Sequence, residues 1–412
     1  MILYNIALLL YSLAIRVAAV RLPKAKLWCE GRSGLFERLR SAISQSDRVI
    51  WFHVASLGEF EQGRPLIEKV RAAHPEYKIL LTFFSPSGYE ACKKYDKVDH
   101  IFYLPLDTTR NACRFLDIVH PEIVIFVKYE YWLNTLFELR NRNIRSYIVS
   151  AIFRPNSIFF KWWGFMWRNA LSCFELLFVQ DENSKRLLSN IGYDNVVVAG
   201  DTRFDRVMTI AKSAKSIPVI ETFKGDRELF VAGSTWLSDE QLLLPLVERH
   251  PEVKFVVVPH EITESHISQI EVLFAGRAVR YTKILKEGSV ERDLIEPQVL
   301  ILDTIGMLSS VYQYGDWAYI GGGFGVGIHN TLEAATFGLP IAFGTNYARF
   351  KESVDMISLG GSCSVKDAEE FDRWFTALLV DREMRAKVGK ISSEYVANRC
   401  GATKVIEQTI FV

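Results

Sequence analysis

The stretch that decides the fold reads VIWFHVASLGEF from Val49 to Phe60. Its first half, Val49–Val54, is apolar apart from one histidine, which is typical of a strand buried on both faces of a parallel sheet. The small residues that follow it mark a turn, and an amphipathic stretch begins near Glu59. The pattern predicts a strand, a turn and a helix, the repeating unit of an α/β fold.

The same unit recurs along the chain in two sets. The first set of predicted strands is Val49–Val54, Lys78–Thr82, Ile123–Val127, Ser146–Val149, Leu176–Val179 and Val196–Ala199. The second set is Leu229–Ala232, Lys254–Val258, Val299–Leu302, Trp317–Ile320 and Pro340–Phe343. We therefore predict two Rossmann-like, doubly wound domains facing a cleft, because open sheets of this type bind ligands beyond the carboxyl ends of their strands.

Composition and cysteine spacing exclude several classes of protein. The 412 residues are 49% hydrophobic and 24% charged, as in a folded globular protein, and the net charge of +1 gives no general reason to expect a nucleic-acid partner. The six cysteines are scattered, without C-x-x-C pairs or histidines at zinc-ligand spacing. We therefore predict that the cysteines are free thiols and that the protein resides in a reducing compartment.

The amino terminus is a candidate membrane contact. Met1–Val20 is mostly apolar and is followed by Arg21, Lys24 and Lys26, so the positive-inside rule keeps the remaining chain in the cytoplasm. An aromatic segment with basic residues at 159–168 has the mixture that suits lipid head groups. We predict an apolar membrane-anchor helix that spans or lies on the membrane, with a buried first helix as the alternative.

These features predict five parts of the chain. They are a membrane-anchor helix with its basic flank at 1–26, a first domain at 27–210, a polar linker at 211–226, a second domain at 227–395, and a carboxyl-terminal segment at 396–412 that packs back on the first domain.

Glu59 is the first candidate for catalysis. It follows a buried strand at the start of a helix, where a carboxylate in an apolar cleft could act as a general base. Ser56 and Glu59 also have the spacing of a capping box, so a purely structural role is the alternative.

A glycine-rich turn at 320–329 is the second candidate. Glycines let backbone N–H groups approach a phosphate at a helix start, although the spacing does not fit the dinucleotide pattern G-x-G-x-x-G. Asn330 and Glu333 have cap spacing, and Glu333 could equally bind the hydroxyls of a ribose.

Other polar residues follow predicted strands and would meet at the same sheet edges. They are Glu130 and Arg203 in the first domain, and Ser234, Thr235, Pro259, His260 and the loop at 303–307 in the second. Arg203 would suit a departing phosphate, or it pairs with Asp201 or Asp205.

Six segments in this order resemble the Kdo transferases, membrane-associated enzymes that add 3-deoxy-D-manno-octulosonic acid (Kdo) to lipid A precursors in Gram-negative bacteria. They are the apolar first helix, Ser-x-Gly-Glu-Phe at Glu59, Glu-x-Trp-x-Asn at Glu130, Gly-x-x-Arg-Phe-Asp at Arg203, Ala-Gly-Ser-Thr at Ser234, and Gly-Gly-x followed by His-Asn-x-x-Glu ending at Glu333. Lys128 stands where the family often has a second acid, and Arg203 where it usually has Lys.

The resemblance implies a GT-B glycosyltransferase that moves Kdo from CMP-Kdo to a lipid A precursor at the cytoplasmic face of the inner membrane. Glu59 would be the general base, Glu130 and Arg203 would support the transition state, and no metal or cofactor is expected. The implied donor-binding positions are Ser234, Thr235, Pro259, His260, Ile305, Gly306, Met307, Gly323, Asn330, Thr331, Leu332 and Glu333.

Two other functions are compatible with the same pattern. One is a GT-B enzyme that uses a UDP-sugar, and the other is a membrane-bound sugar-nucleotide sensor without turnover.

Overall fold

The computed structural model describes residues 1–287 and 296–411. The chain forms two compact units: Met1–Arg206 with the chain from Cys400 onwards, and Val207–Arg399. The domain boundaries given above stay predictions, and positions 288–295 and 412 of those ranges lie outside the described residues.

The first unit is a parallel α/β domain. Its strands are β1 (Val49–Val54), β2 (Lys78–Phe83), β3 (His100–Tyr103), β4 (Ile123–Val127), β5 (Arg145–Ala151), β6 (Leu176–Val179) and β7 (Val196–Val198). Its helices are α1 (Ile2–Ala18), α2 (Pro23–Arg32), α3 (Leu35–Ala42), α4 (Leu57–Ala73), α5 (Pro86–Cys92), α6 (Thr109–Val119), α7 (Leu133–Asn141), α8 (Phe165–Leu171), α9 (Glu182–Ser189) and α10 (Thr202–Lys212), which crosses into the second unit.

The seven strands pair in the order β3-β2-β1-β4-β5-β6-β7, all in parallel. Side chains of β1 alternate between two cores: Val49 and Trp51 pack on one face of the sheet, and Ile50 and Phe52 on the other. Helices cover both faces, which is why the strand is continuously apolar. The strand breaks this rule at His53, which is fully buried.

The second unit repeats this architecture. Its strands are β8 (Leu229–Thr235), β9 (Lys254–Pro259), β10 (Ala278–Arg280), β11 (Val299–Ile301), β12 (Trp317–Ile320), β13 (Ile341–Phe343) and β14 (Ser362–Ser364). Its helices are α11 (Pro218–Lys224), α12 (Leu237–Arg249), α13 (Glu264–Leu273), α14 (Tyr281–Glu287), α15 (Leu308–Val311), α16 (Leu332–Thr336), α17 (Lys351–Leu359), α18 (Ala368–Val380) and α19 (Arg382–Ala397). The strand order is β10-β11-β9-β8-β12-β13-β14, again parallel.

The prediction of two parallel-sheet α/β domains is confirmed. The strand predicted at Leu229–Ala232 is longer than expected: β8 continues to Thr235 with an irregular register, so Ser234 and Thr235 lie within the strand and do not follow it. Residues 211–226, predicted as a linker, contain the end of α10 and helix α11.

The last helix, α20 (Ala402–Ile410), packs on the first unit. Ile406 and Ile410 enter the core beneath the first sheet. The Asp205 carboxylate accepts the backbone N–H groups of Gly401 and Thr403 at 2.6 and 2.7 Å. These bonds anchor the start of the helix.

Helix α1 has 17 residues. Within residues 1–287 and 296–411, no helix combines the length and apolarity needed to cross a bilayer. The predicted apolar membrane-anchor helix is therefore not borne out. Helix α1 is instead tied to the first unit by polar contacts: the Tyr4 hydroxyl donates to Asp107 at 2.7 Å, and the Asn134 amide donates to Asn5 at 2.8 Å.

Candidate active site

The first sheet changes direction between β1 and β4. These strands are neighbours, but the chain visits β2 and β3 on one side before returning to β4 on the other. Loops at such a switch point diverge and leave a crevice at the carboxyl ends of the strands. Glu59 follows β1 and Glu130 follows β4, so the fold brings both predicted carboxylates to this edge.

Glu59 lies in the first turn of α4 and is half-buried. The Ser56 hydroxyl donates to its carboxylate, and the Ser56 side chain makes no capping hydrogen bond to the helix. The capping box that we considered as an alternative is therefore not formed. The serine orients a carboxylate that stays accessible at the helix N-terminus, where the helix dipole favours negative charge.

Glu130 belongs to a buried chain of hydrogen bonds. The Trp51 indole donates to the Thr82 hydroxyl at 2.7 Å, Thr82 contacts His53 Nδ1 at 2.8 Å, and His53 Nε2 contacts the Glu130 carboxylate at 3.1 Å. The Trp132 indole donates to the same Glu130 oxygen at 2.8 Å. The Trp132 indole nitrogen also lies 2.9 Å from His53 Nε2, so the three side chains His53, Glu130 and Trp132 contact one another. Glu130 is thus held by the His53 ring and the Trp132 indole.

Arg203 lies within electrostatic reach of Tyr129, the residue before Glu130. Its Nε donates to Asp201 at 2.8 Å, so the ion pair considered from the sequence is present. Burial raises the pKa of the Tyr129 phenol, the positive charges of Arg154 and Arg203 lower it, and the negative charges of Asp201 and Glu59 raise it. These four charges therefore lie within electrostatic reach of one half-exposed phenol next to Glu130.

Strained backbone marks the carboxyl edges of both sheets. Lys128, Ser150 and Ser234 have φ values of 71°, 51° and 55°. Each stands at or near the carboxyl end of a central strand. Such conformations cost about 1–3 kcal/mol each and cluster at functional sites. The backbone strain therefore supports the assignment of the carboxyl edges of the two sheets as functional sites.

The second sheet has its switch point between β8 and β12, and three aromatic rings lie there. His260 stacks on Trp236 with ring centres 4.9 Å apart and on His329 at 4.2 Å. Burial and the neighbouring His260 lower the pKa of His329 to about 4. This ring is therefore neutral at physiological pH.

The glycine-rich turn is held by a buried carboxylate, Asp239. It accepts the N–H groups of Gly322 and Trp236, both at 2.9 Å, and the Tyr319 hydroxyl at 2.7 Å. Gly322 has a φ of +91°, and a Cβ there would lie 2.5 Å from the Gly327 carbonyl oxygen. Predicted Gly323 packs against the backbone of Gly344, where a Cβ would lie 2.5 Å from its nitrogen. The turn has room for glycine alone at these positions.

Asn330 and Glu333 contact each other. The Asn330 amide donates to Glu333 at 2.9 Å and its oxygen accepts the N–H of Leu332 at 3.1 Å. The charge of Glu333 adds to burial in raising the pKa of Tyr312, and the Tyr312 hydroxyl faces Gly233 at the end of β8. Glu333 therefore lies near the same sheet edge.

The other predicted donor positions differ in accessibility. Thr235 and Pro259 pair across β8 and β9, and the N–H of His260 donates to the Thr235 carbonyl oxygen at 2.9 Å. Thr331 and Leu332 are buried, so a ligand would meet their backbone atoms and not their side chains. The loop Ile305–Met307 follows β11, with Ile305 91% exposed and Gly306 at a φ of +86°.

Sequence reasoning missed several residues of these edges. They are His53, Trp132, Tyr129, Arg154, Trp236 and Asp239. A signal existed for His53, a polar residue inside an apolar strand. Within the described ranges, no group of three His, Cys, Asp or Glu side chains could hold a metal ion.

Comparison with known proteins gives a consistent result. Residues 32–206 match the family described as 3-Deoxy-D-manno-octulosonic-acid transferase (kdotransferase). The chain is 27% identical to a 3-deoxy-D-manno-octulosonic acid transferase of Haemophilus influenzae, over 94% of this chain and 92% of that protein. It is 25% identical to one of Aquifex aeolicus, over 84% and 91%. In fold it is similar to UDP-GlcNAc 2-epimerase from Neisseria meningitidis, with a TM-score of 0.62, 16% identity, and coverage of 88% and 99%.

Proposed function

We infer that this chain, a relative of the 3-deoxy-D-manno-octulosonic acid transferases over most of its length, is itself a Kdo-transferring glycosyltransferase of lipopolysaccharide biosynthesis. CMP-Kdo is the donor and a lipid A precursor the acceptor. The observation that carries a catalytic role is Glu59, an accessible carboxylate at a sheet switch point that does not serve as a helix cap.

Glu59 is the general base of this proposal. Its carboxylate removes the proton of an acceptor hydroxyl as that oxygen attacks the anomeric carbon of the sugar, with inversion and with departure of CMP. The Ser56 hydroxyl orients the carboxylate. A base must lie within hydrogen-bond reach of the proton that it takes, and the half-buried position of Glu59 leaves that approach open.

Glu130 and Arg203 support the transition state. Glu130 is held by His53 and Trp132, so its negative charge is preorganised to face the positive charge that develops on the sugar ring. The Arg203 guanidinium, oriented by Asp201, suits the negative charge that develops on the leaving phosphate.

The second unit holds the donor. The N–H groups of the glycine-rich turn suit its phosphate, and the stacked His260 and His329 offer a flat surface for a nucleobase. Glu333, oriented by Asn330, suits the ribose hydroxyls. No metal or cofactor is required in this proposal, because the N–H groups of the glycine-rich turn can meet the charge of the leaving group.

The enzyme works at the cytoplasmic face of the inner membrane. Helix α1 turns a stripe of apolar side chains outwards, with Leu3 82% and Val17 68% exposed. A second exposed patch, with Trp162 and Phe165, is adjacent, because Tyr4 of α1 contacts Trp167 edge to face. Soluble proteins rarely expose so much contiguous apolar surface, which supports a location at a membrane surface.

Mass spectrometry of a tetraacylated lipid A precursor incubated with the purified protein and CMP-Kdo tests the reaction. The expected result is a mass increase by Kdo units. Thermal unfolding with CMP or UDP tests the donor separately, since CMP should raise the unfolding temperature and UDP should not. Stabilisation by UDP alone would contradict the donor assignment.

A further inference from the structure

The first unit contains a cavity of about 370 Å³ that shares no residue with the candidate active site. It lies between α1 and the helices α2 and α3, with the loop at 105–106 on its other side. Its volume falls in the range of small-molecule sites. The walls are apolar at Trp28, Leu35, Phe36 and Leu106.

A half-buried guanidinium, Arg32, lines this cavity. It donates to three backbone carbonyl groups, those of Leu104 at 2.9 Å, Phe84 at 2.9 Å and Trp28 at 3.2 Å, and it stacks 3.9 Å from the Trp28 ring. Within the described part of the chain it has no carboxylate partner. Burial lowers its pKa to about 9, which reflects the cost of a desolvated charge without a counterion. A guanidinium also has N–H donors beyond these three.

A second arginine, Arg16, lines the same cavity from the last turn of α1. Its side chain is exposed. Within residues 1–287 and 296–411 that side chain forms no hydrogen bond and no ion pair. The cavity-lining residues among those described include two arginines but neither Asp nor Glu. The cavity is therefore positively charged and uncompensated, which suits an anion with several oxygen acceptors, such as a phosphate.

The apolar residues around the cavity narrow the class of anion that it can bind. The apolar walls would not stabilise a free phosphate, but they suit the chain of an amphiphile that carries one. The cavity lies under α1, whose outer face is the exposed apolar stripe described above. We propose that this cavity binds the phosphorylated head group of a membrane lipid, with Arg16 and Arg32 as the phosphate donors. The proposal does not depend on Kdo transfer.

Cys29 provides a direct readout, because its partly exposed thiol lines the cavity. Alkylation of the full-length protein is followed by peptide mass spectrometry, with the partly exposed Cys363 of the second unit as internal control. Monomeric dihexanoylphosphatidic acid at about ten times its Kd should slow alkylation of Cys29 about tenfold and leave Cys363 unchanged. Inorganic phosphate and dihexanoylphosphatidylcholine should not protect.

Three outcomes would overturn the proposal. Protection by inorganic phosphate equal to that by the lipid would indicate a site for free anions. Equal protection by the choline lipid would indicate an apolar pocket without charge recognition. No protection by any of the three probes would leave the cavity without this ligand.

A pair of variants separates site binding from general electrostatic attraction. Arg16→Gln should weaken protection of Cys29 by the phosphatidic acid about tenfold, the loss expected for one charge-assisted hydrogen bond. Arg21→Gln removes the same charge from an exposed position outside the cavity and should leave protection unchanged. Arg32 is left intact because its hydrogen bonds tie α2 to two loops. Equal protection in both variants would contradict the role of Arg16.

Discussion

Both sheets are parallel and seven-stranded, but they differ in strand order on one side, where β11 lies between β10 and β9, and they carry different chemistry at their switch points. In the first unit, the crevice between β1 and β4 is lined by ionisable side chains, Glu59 and the chain from His53 to Glu130. In the second unit, the crevice between β8 and β12 is lined by stacked aromatic rings and by backbone held by Asp239. Under the proposed function, the first edge serves proton transfer and the second serves donor binding. Variants of the two edges should therefore differ in which kinetic constant they change.

The largest effect is expected at Glu59. Glu59→Gln keeps the size of the side chain but removes the base, so kcat should fall by about 10²- to 10⁴-fold. The Glu59 side chain accepts a hydrogen bond from Ser56, which a glutamine can also accept. The unfolding temperature should therefore stay near that of the parent protein. Mass-spectrometric assays of Kdo transfer measure the loss.

Ser56→Ala is the matched control for this variant, since it removes the bond and keeps the carboxylate. It should retain most of the activity. A fully active Glu59→Gln protein would refute the general-base role and favour a sensor without turnover.

The next largest effect is expected at Glu130. Glu130→Gln still accepts hydrogen bonds from His53 and Trp132 but loses the negative charge, so kcat should fall by about 10²-fold with little change in the KM for CMP-Kdo. Trp132→Phe keeps the charge and removes one donor, and its loss should be smaller. Equal losses in the two variants would show that rigidity, not charge, is what Glu130 supplies.

For variants of the second unit, we expect the main change in KM and not in kcat. Gly322→Ala places a Cβ 2.5 Å from the Gly327 carbonyl oxygen at a φ of +91°, which distorts the turn. The KM for CMP-Kdo should rise about tenfold, the equivalent of roughly 1.4 kcal/mol of strain. Steady-state kinetics with varied CMP-Kdo measure this change.

Gly325→Ala is the control in the same turn, because a Cβ there meets nothing within 4 Å. Its KM should match that of the parent protein. If both alanine variants raised KM equally, the loss would reflect the flexibility of the whole turn and not the conformation at Gly322.

The smallest expected effect is on the pH dependence of the free energy of unfolding. Burial and His260 lower the pKa of His329 from its ordinary 6.5 to about 4, so the unfolded chain takes up a proton at higher pH than the folded protein does. The contribution of this ring to stability is complete above pH 6.5 and is lost as the pH falls towards 4. His329→Asn should flatten the decline of the unfolding temperature across this window.

His260→Asn should partly flatten the decline of the unfolding temperature, because the charge of His260 is the second cause of the lowered pKa of His329. Unfolding temperatures measured from about pH 4 to 7 test both variants. Parallel pH profiles for the parent protein and His329→Asn would show that this ring does not contribute.

The interior strands were predictable because burial on both faces makes them continuously apolar. The strands that sequence reasoning missed, β3, β10 and β14, all lie at the ends of their sheets. An end strand has one neighbour and is less buried: the three residues of β10 are all half-buried. Its sequence AVR carries too short an apolar pattern to distinguish it from a loop.

The sequence by itself determined the class of fold, the order of the two domains, and the segments that carry Glu59 and the glycine-rich turn. These depend on patterns within a few residues, where burial and turn chemistry act locally. The tertiary structure alone decided that Ser56 orients Glu59 without capping its helix, and that His53 reaches Glu130 across 77 positions of the chain. It also decided that the half-buried Arg32 pairs with backbone carbonyl groups and, among residues 1–287 and 296–411, with no carboxylate. The contacts of His53 and Arg32 join residues far apart in sequence, so packing of the sheet and its helices chooses the partners, while the Ser56 bond depends on which of two local geometries the helix start adopts.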